Sequence, residues 1–591
     1  MSHGGGKMEP RETVLRRLAE QQFDLLVIGG GITGAGIALD AATRGMRVAL
    51  VEQSDFAAGT SSRSTKLVHG GVRYLAQRDV TLVREALAER DLLLRLAPHL
   101  VQPQPFVLPV YRGQHVPGVP APAVATPLLT SIGLAAYDLL AGRRNLQGHR
   151  GLTALGARGL IPALRTEGLR GAFLYYDART DDVRLTLAVL QTAVAHNAVV
   201  ANYTEVTGFT ARGGRLTGAT VRDRVGGGEV TVRATRVVGA TGAWSARLAA
   251  LADDAVGGSP ARANGRDGRL GRQAPHGLRL SKGVHLVLDR DSVPLGALAV
   301  VLPTTADGRL AFVVPWGTQM LLGTTDTPYD GDPTAVRPEP ADVDALLDDA
   351  NRYLDLGLDR SDVVGAFAGL RPLVQSDAAS TATTSREHAV AVAPSGLVSV
   401  TGGKLTTYRR MARDTVDAAL RAQPGPWGAS TTARVPLAGA AGLAARSSAA
   451  RGVARELGLP TDVATHLVTS YGAEAPGVLS LVAEQPELGR RLVEDQPYLA
   501  AEIVYGIRHE GAQRLDDVLQ RRTRLALEAP DGAASSAPAV ADLLAAELGW
   551  DEETRRRAVE TYRAEAATAR AAWATVPDTT EREGAAGARA H

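Results

Sequence analysis

The run FDLLVIGGGITGAGIALDAATRGMRVALVEQ (residues 23–53) constrains this chain more than any other feature. A short apolar strand feeds a glycine-rich turn, the turn opens a helix, and the helix returns to a second apolar strand ending in Glu52. That is a βαβ unit. Gly29, Gly31 and Gly34 stand at G-x-G-x-x-G spacing, which permits a tight turn, close approach of backbone to a pyrophosphate, and close packing of helix on strand. The N–H groups at the start of the helix then point at the phosphates. Glu52 lies at a strand end, where a carboxylate accepts hydrogen bonds from an adenosine ribose. The first expectation is therefore a parallel α/β sheet that binds a dinucleotide.

The residues after Glu52 bear on which dinucleotide binds. DFAAGTSSRSTKLVHGGVRYL (residues 55–75) leads small hydroxylated residues into paired glycines, whereas a nicotinamide domain more usually continues with another plain βαβ repeat. Two later strand-like runs, at 236–240 and 396–400, flow into TGAWS and TGGKLTTYRRMARDTV. Strand ends in a doubly wound sheet face the ligand crevice, so three distant stretches converge on one site and the cofactor domain is discontinuous. Lysine usage points to the same stretches. The chain has only four lysines, Lys7, Lys66, Lys282 and Lys404, against a total of 65 basic residues, and three of the four lie in glycine-containing segments. A compact ammonium retained against so strong an arginine bias marks TKLVHGG, SKGVH and GGKLTTYR as site segments.

Composition removes other chemistries. With no cysteine there is no disulfide, thiolate zinc site, iron–sulfur cluster or cysteine nucleophile. A formal net charge of +2 offers no basic face for nucleic acid. The pair His509–Glu510 lacks the second histidine of a metalloprotease helix, because position 513 is Gln, so no metal site is expected. The amino terminus has no long apolar core before a small-residue cleavage site, which is the expectation for a cytoplasmic protein.

Together these segments resemble the FAD-dependent glycerol-3-phosphate dehydrogenases, relatives of the D-amino acid oxidase type flavoproteins. The resemblance runs through GGGITGAGIALDAATRG, GTSSRSTKLVHGGVRYL, ATGAWS, SKGVHLVL, LLGTTDTP, AGLRPL, TSREH, GGKLTTYR and, near the carboxy terminus, YGIRHEGAQRLDDVLQRRTRL. It covers about residues 20–530 and departs at the polar loop 257–277, read as a disordered insertion. The implied fold is a discontinuous Rossmann-like FAD-binding domain (20–90, 180–250 and 362–425) with an inserted antiparallel-sheet substrate domain (91–179 and 251–361). An all-α carboxy-terminal domain (430–575), with a linker at 530–539, and a disordered tail (576–591) complete it. The implied reaction oxidises sn-glycerol 3-phosphate at C2 to dihydroxyacetone phosphate, with hydride passing to flavin N5 and electrons to a membrane quinone.

The resemblance also assigns residues. Beyond Gly29, Gly31, Gly34 and Glu52, the FAD set takes in Thr33, Thr60, Ser61, Ser62, Lys66, Leu67, His69, Gly242, Gly403, Leu405 and Thr406. Arg73, Arg386 and Lys404, with Tyr74 as a hydroxyl donor, supply charge-assisted hydrogen bonds to the phosphate dianion. Arg371 is assigned to the C2 oxygen, where it offsets developing negative charge. His285 is the candidate base, since imidazole titrates near neutrality, and His69 is the runner-up. Each has an ordinary alternative: an isolated arginine is usually a solvated surface residue, and His285 alternates with apolar neighbours as a packed strand histidine would. Lys66 serves either the flavin ring or the anchoring of its loop.

Without cysteine, electrons leave the flavin directly. A quinone acceptor implies association with the inner face of the cytoplasmic membrane. Two segments are candidates for lipid contact: the basic helix RETVLRRLAEQQ through Val14, Leu15 and Leu18, and the apolar stretch 127–140. Alternatives are an oxidase that reduces O2 to H2O2 and, from another class, a non-catalytic dinucleotide-binding scaffold. A homodimer is left open.

Overall fold

The computed structural model describes residues 6–72, 79–114, 126–257, 278–303, 309–374 and 388–574. In chain order, α1 (Arg11–Glu20) precedes β1 (Leu25–Ile28), α2 (Ile32–Thr43) and β2 (Val48–Val51). Then come α3 (Thr126–Ala141), β3 (Val199–Ala201), β4 (Val237–Gly239), β5 (Leu278–Leu288), β6 (Val363–Val374), β7 (His388–Val392), β8 (Leu397–Gly402) and α4 (Ala500–Glu510). Six of these strands form one sheet in the order β7-β8-β4-β1-β2-β3, parallel throughout except for the β7–β8 hairpin. Every residue of β1 and β2 is buried, as expected of parallel strands covered on both faces. Two glycines let α2 lie close to its neighbours. A methyl carbon at Gly34 would run into the Gly29 carbonyl oxygen, and one at Gly36 would come within 2.7 Å of the Tyr408 ring on the helix Tyr408–Ala422.

A second sheet of ten strands contains β5 and, apart from the parallel pairing of Ala299–Leu302 with Gln102–Tyr111, is antiparallel. β5 pairs with β6 along its whole length, which sets Ser281 opposite Arg371 and His285 opposite Phe367. A four-stranded sheet (Gln22–Phe23, Glu229–Ala234, Arg215–Asp223 and Thr204–Arg212), not foreseen in the sequence, covers the amino-terminal side. The apolar face of α1 packs against that region: Leu18 is fully buried and Val14 nearly so, in one cluster with Phe23, Val199 and Val232. This corrects the expectation that α1 could offer that face to lipid.

The carboxy-terminal part is helical, with two cores, one around Leu467, Val478 and Val504 and one around Leu519, Val540 and Tyr562. The expected linker at 530–539 belongs to the second core. Ala533 and Ala537 are fully buried there, and the Tyr562 hydroxyl donates to the Gly532 carbonyl at 2.8 Å. Small residues at this point permit close packing, which composition alone does not separate from linker. His509–Glu510 is structural, as its sequence suggested: Glu510 pairs with Arg184 at 2.8 Å, both buried, and His509 stacks on Tyr505. The insertion, from 258 on, and the tail lie outside the described residues.

Candidate active site

The carboxyl ends of β1, β2, β4 and β8 open on a cavity of about 550 Å³. Gly29, Gly31, Thr33, Glu52, Thr60, Ser61, Gly242, Gly403, Lys404 and Leu405 line it, so the three separated segments do meet. Gly29 adopts a left-handed φ of 114°, and a side chain there would press on the Ala240 carbonyl at the end of β4. Gly31 has only the Ser61 side chain nearby, its hydroxyl at 3.0 Å from an added carbon, and leaves the start of α2 open to a phosphate. The Glu52 carboxylate accepts from the Gly30 N–H at 2.7 Å and the Ser54 N–H at 2.9 Å. Burial pushes this carboxyl above its ordinary range, while those two donors pull it back. A glycine cradle at a helix start beside a fixed carboxylate fits a dinucleotide.

Other predicted cofactor residues, Gly34, Ser62, Lys66, Leu67, His69 and Thr406, do not line this cavity. The Lys66 ammonium pairs with Asp182 at 2.7 Å and donates to the Ser62 carbonyl, with the rings of Trp316 and Phe367 about 5 Å away. The His69 N–H donates to Thr406 Oγ1, joining the two segments. Of the predicted phosphate ligands, Arg73, Tyr74 and Arg386 lie outside the described residues.

The segment Thr60–Lys66 connects the cavity to the second sheet. Thr60 Oγ1 donates to the Leu370 carbonyl at 2.6 Å, Arg63 to the Ala368 carbonyl at 3.2 Å, and Thr65 Oγ1 bonds His285 Nε2 at 3.0 Å. His285 and Arg371 share one face of the β5–β6 pair. A carbon added at Gly283, between them, would run into the Arg371 guanidinium. That guanidinium donates to the Thr325 carbonyl (3.0 Å) and Thr324 Oγ1 (2.9 Å) and pairs with Asp326 at 3.4 Å. His285 is 2% exposed and stacks on Phe367. Burial, then Arg371 and Lys66, hold its imidazole well below the ordinary histidine range, so it is neutral near pH 7.

Sequence reading missed several lining residues. Arg63 sits inside GTSSRSTKLVHGGVRYL, and Arg514, Asp516, Gln520 and Arg521 inside YGIRHEGAQRLDDVLQRRTRL, but nothing in the latter motif says that it meets a cavity more than 400 residues back along the chain; Glu565 belongs to no motif. Lys282, from the third lysine segment, is bound by Glu339 and Asp342 and holds a helix to β5.

A family profile described as "FAD dependent oxidoreductase" matches residues 24–409, and one described as "C-terminal domain of alpha-glycerophosphate oxidase" matches 430–555. A protein of Mycobacterium leprae named glycerol-3-phosphate dehydrogenase is 41% identical over 94% of this chain and 90% of its own. The chain belongs to the FAD-dependent glycerol-3-phosphate dehydrogenase family. The human mitochondrial glycerol-3-phosphate dehydrogenase is 37% identical over 92% of the chain and 73% of its own. The crystal structure of glycerol-3-phosphate dehydrogenase from Bacillus halodurans, complexed with FAD, superposes with a TM-score of 0.75 at 32% identity, covering 96% of this chain and 98% of that one. The family's cofactor is FAD, and Gly31→Val, which fills the approach to the start of α2, tests the glycine cradle as its site. The variant is expected to purify folded but colourless, measured as loss of flavin absorbance after gel filtration, with FAD added back failing to restore it.

Proposed function

We propose that this protein oxidises sn-glycerol 3-phosphate at C2 to dihydroxyacetone phosphate, with bound FAD taking the hydride and passing the electron pair to a membrane quinone. The observation that carries this reading is the placement of Arg371 and His285 on one face of the β5–β6 pair, joined through Thr60–Lys66 to the cofactor cavity. Arg371 is a fixed cation, held by Thr324, Thr325 and Asp326, and stabilises the C2 oxygen as its proton leaves. His285 accepts that proton. Its Nε2 is engaged by Thr65, its Nδ1 has no hydrogen-bond partner among the described residues, and its neutral state is the one a base requires. Lys404 on the cavity wall, with Arg73, Tyr74 and Arg386, binds the phosphate dianion.

Anaerobic addition of sn-glycerol 3-phosphate to the yellow holoenzyme is expected to bleach the flavin bands, and its enantiomer to leave them. Retained colour with both compounds overturns the substrate. Turnover with a soluble quinone analogue, set against turnover in air with peroxide formed, separates the quinone acceptor from oxygen.

Arg371→Ala is expected to lower kcat on the order of a hundredfold or more, while Lys404→Ala chiefly raises KM, both read from steady-state kinetics. A base is lost as pH falls through its pKa. With that pKa held below 6.5, flavin reduction is expected to be independent of pH from about 7 upward and to fall only on the acid side. His285→Gln removes that limb. If His69→Gln removes it instead, the runner-up is the base.

Among the described residues no helix is long and apolar enough to cross a membrane, so quinone access calls for a peripheral contact. The helix α3 suits it. Leu128, Ile132 and Leu139 are 64%, 56% and 81% exposed and fall on one helical stripe, while Leu134 and Tyr137 face the core. Exposed Arg144 and Arg150 lie just beyond it, in a segment tied back by the Asn145 and His149 bonds to Asp138. Replacing all three stripe residues with Ser is expected to abolish sedimentation with anionic phospholipid vesicles and leave turnover with a soluble acceptor unchanged.

A further inference from the structure

The dinucleotide cavity has a wall that the βαβ fingerprint does not supply. Arg514, Asp516, Gln520, Arg521 and Glu565 of the helical carboxy-terminal part line it together with Glu52–Asp55, Tyr203 and Thr204. These residues are not loosely apposed. Asp55, three positions beyond Glu52, is fully buried and accepts from Arg521 Nε at 2.6 Å and from both terminal nitrogens of Arg522 at 2.7 and 2.9 Å. The Asn202 amide donates both to the Asp55 carboxylate and to the Gly511 carbonyl. The Tyr203 hydroxyl donates to Asp517 at 2.5 Å, and the Arg514 guanidinium lies over the Tyr203 ring at 4.4 Å. Tyr203 and Thr204 in turn donate their N–H groups to the carbonyls of Ser54 and Glu52. The strand end that carries Glu52 is thus bolted on its far side to the turn Arg514–Arg522.

We propose that the carboxy-terminal helical part builds the adenosine end of the FAD site, with Arg514 and Gln520 contacting the nucleoside and Asp55 positioning that wall. This rests on the placement of the ribose at Glu52. Charge argues for the nucleoside and against the pyrophosphate: the wall presents two arginines against two carboxylates and an amide, a balanced set suited to a neutral heterocycle. The phosphates already have the N–H groups at the start of α2. The carboxy-terminal part is then a component of the cofactor site, and FAD binding and docking of that part support one another.

The full-length apoprotein is titrated with FAD, monitored by flavin fluorescence, and with ADP and FMN, monitored calorimetrically. Arg514 and Gln520 are exposed, so Arg514→Ala and Gln520→Ala preserve the fold. Together they are expected to weaken FAD and ADP by a similar factor, on the order of tenfold, and to leave FMN unchanged. Asp55→Asn is expected to do the same and, in hydrogen exchange, to abolish the protection that ADP confers on residues 511–524. Glu52→Gln separates the two ideas. If it leaves ADP binding unchanged, the ribose placement fails. If it weakens ADP while the Arg514/Gln520 variant binds both ligands as the parent does and ADP protects nothing in 511–524, the proposal is overturned. Equal losses for ADP and FMN also overturn it, because they mark a general structural defect.

Discussion

The ion pair between Lys66 and Asp182 is the interaction on which the site's assembly depends. Both side chains are nearly out of solvent, and a buried charge left alone costs several kcal/mol, on the order of 3–5 when one partner of such a pair is removed. The pair therefore tolerates little displacement. Asp182 also accepts from the N–H and hydroxyl of Ser64, and Thr180 donates its N–H to the Lys66 carbonyl. The segment from Thr60 to Val68 is fixed from beneath, and everything it touches inherits that position: the cavity through Ser61, β6 through Thr60 and Arg63, and His285 through Thr65. The lysine that stood out against an arginine bias has its ammonium committed to protein groups. A point charge at the end of a flexible stem fits between the Ser62 carbonyl and Asp182, between two aromatic rings, where a planar guanidinium would need more room.

The same cations set the electrostatics of the proposed catalytic face. Arg371 and Lys66 sit close enough to His285 to disfavour its protonation, and burial acts in the same direction. Three effects of one sign leave a neutral imidazole beside fixed positive charge. That suits a reaction in which a proton leaves an alcohol carbon's oxygen while a dianionic phosphate is held nearby. A histidine free in solvent would be partly protonated at neutral pH and to that extent useless as a base.

Legibility followed locality. The βαβ unit was readable because strand, turn, helix and acid lie within 31 contiguous residues, and the glycines mark places where a side chain would meet backbone. The β4 and β8 ends were readable because each carries its glycines immediately after an apolar run. The antiparallel pairing that puts Arg371 and His285 on one face was not, since register between strands separated by more than seventy residues depends on tertiary fit. The alanine-rich 530–539 stretch misled because small residues serve close packing and open linkers alike, and the apolar stripe of α1 misled because amphipathicity does not say what covers it.

The least legible feature is also the most economical. Glu52 and Asp55 stand three residues apart at one strand end, yet the first faces the cavity and the carboxylate of the second turns into the arginines at 521 and 522. A single turn of backbone thus faces the proposed cofactor cavity on one side and a separate helical core on the other. Asp55 is held ionised, its pKa pushed down to about 2 by the two guanidiniums against the opposing effect of burial, so the link persists across the physiological range. Because the Glu52 N–H and carbonyl are bonded to Ala201 and Thr204, a shift of the helical part, received through the side chains of Asp55, Asn202 and Tyr203, would be passed by the backbone to the Glu52 carboxylate. A helical part with no catalytic constellation of its own thereby gains a physical reason to be present.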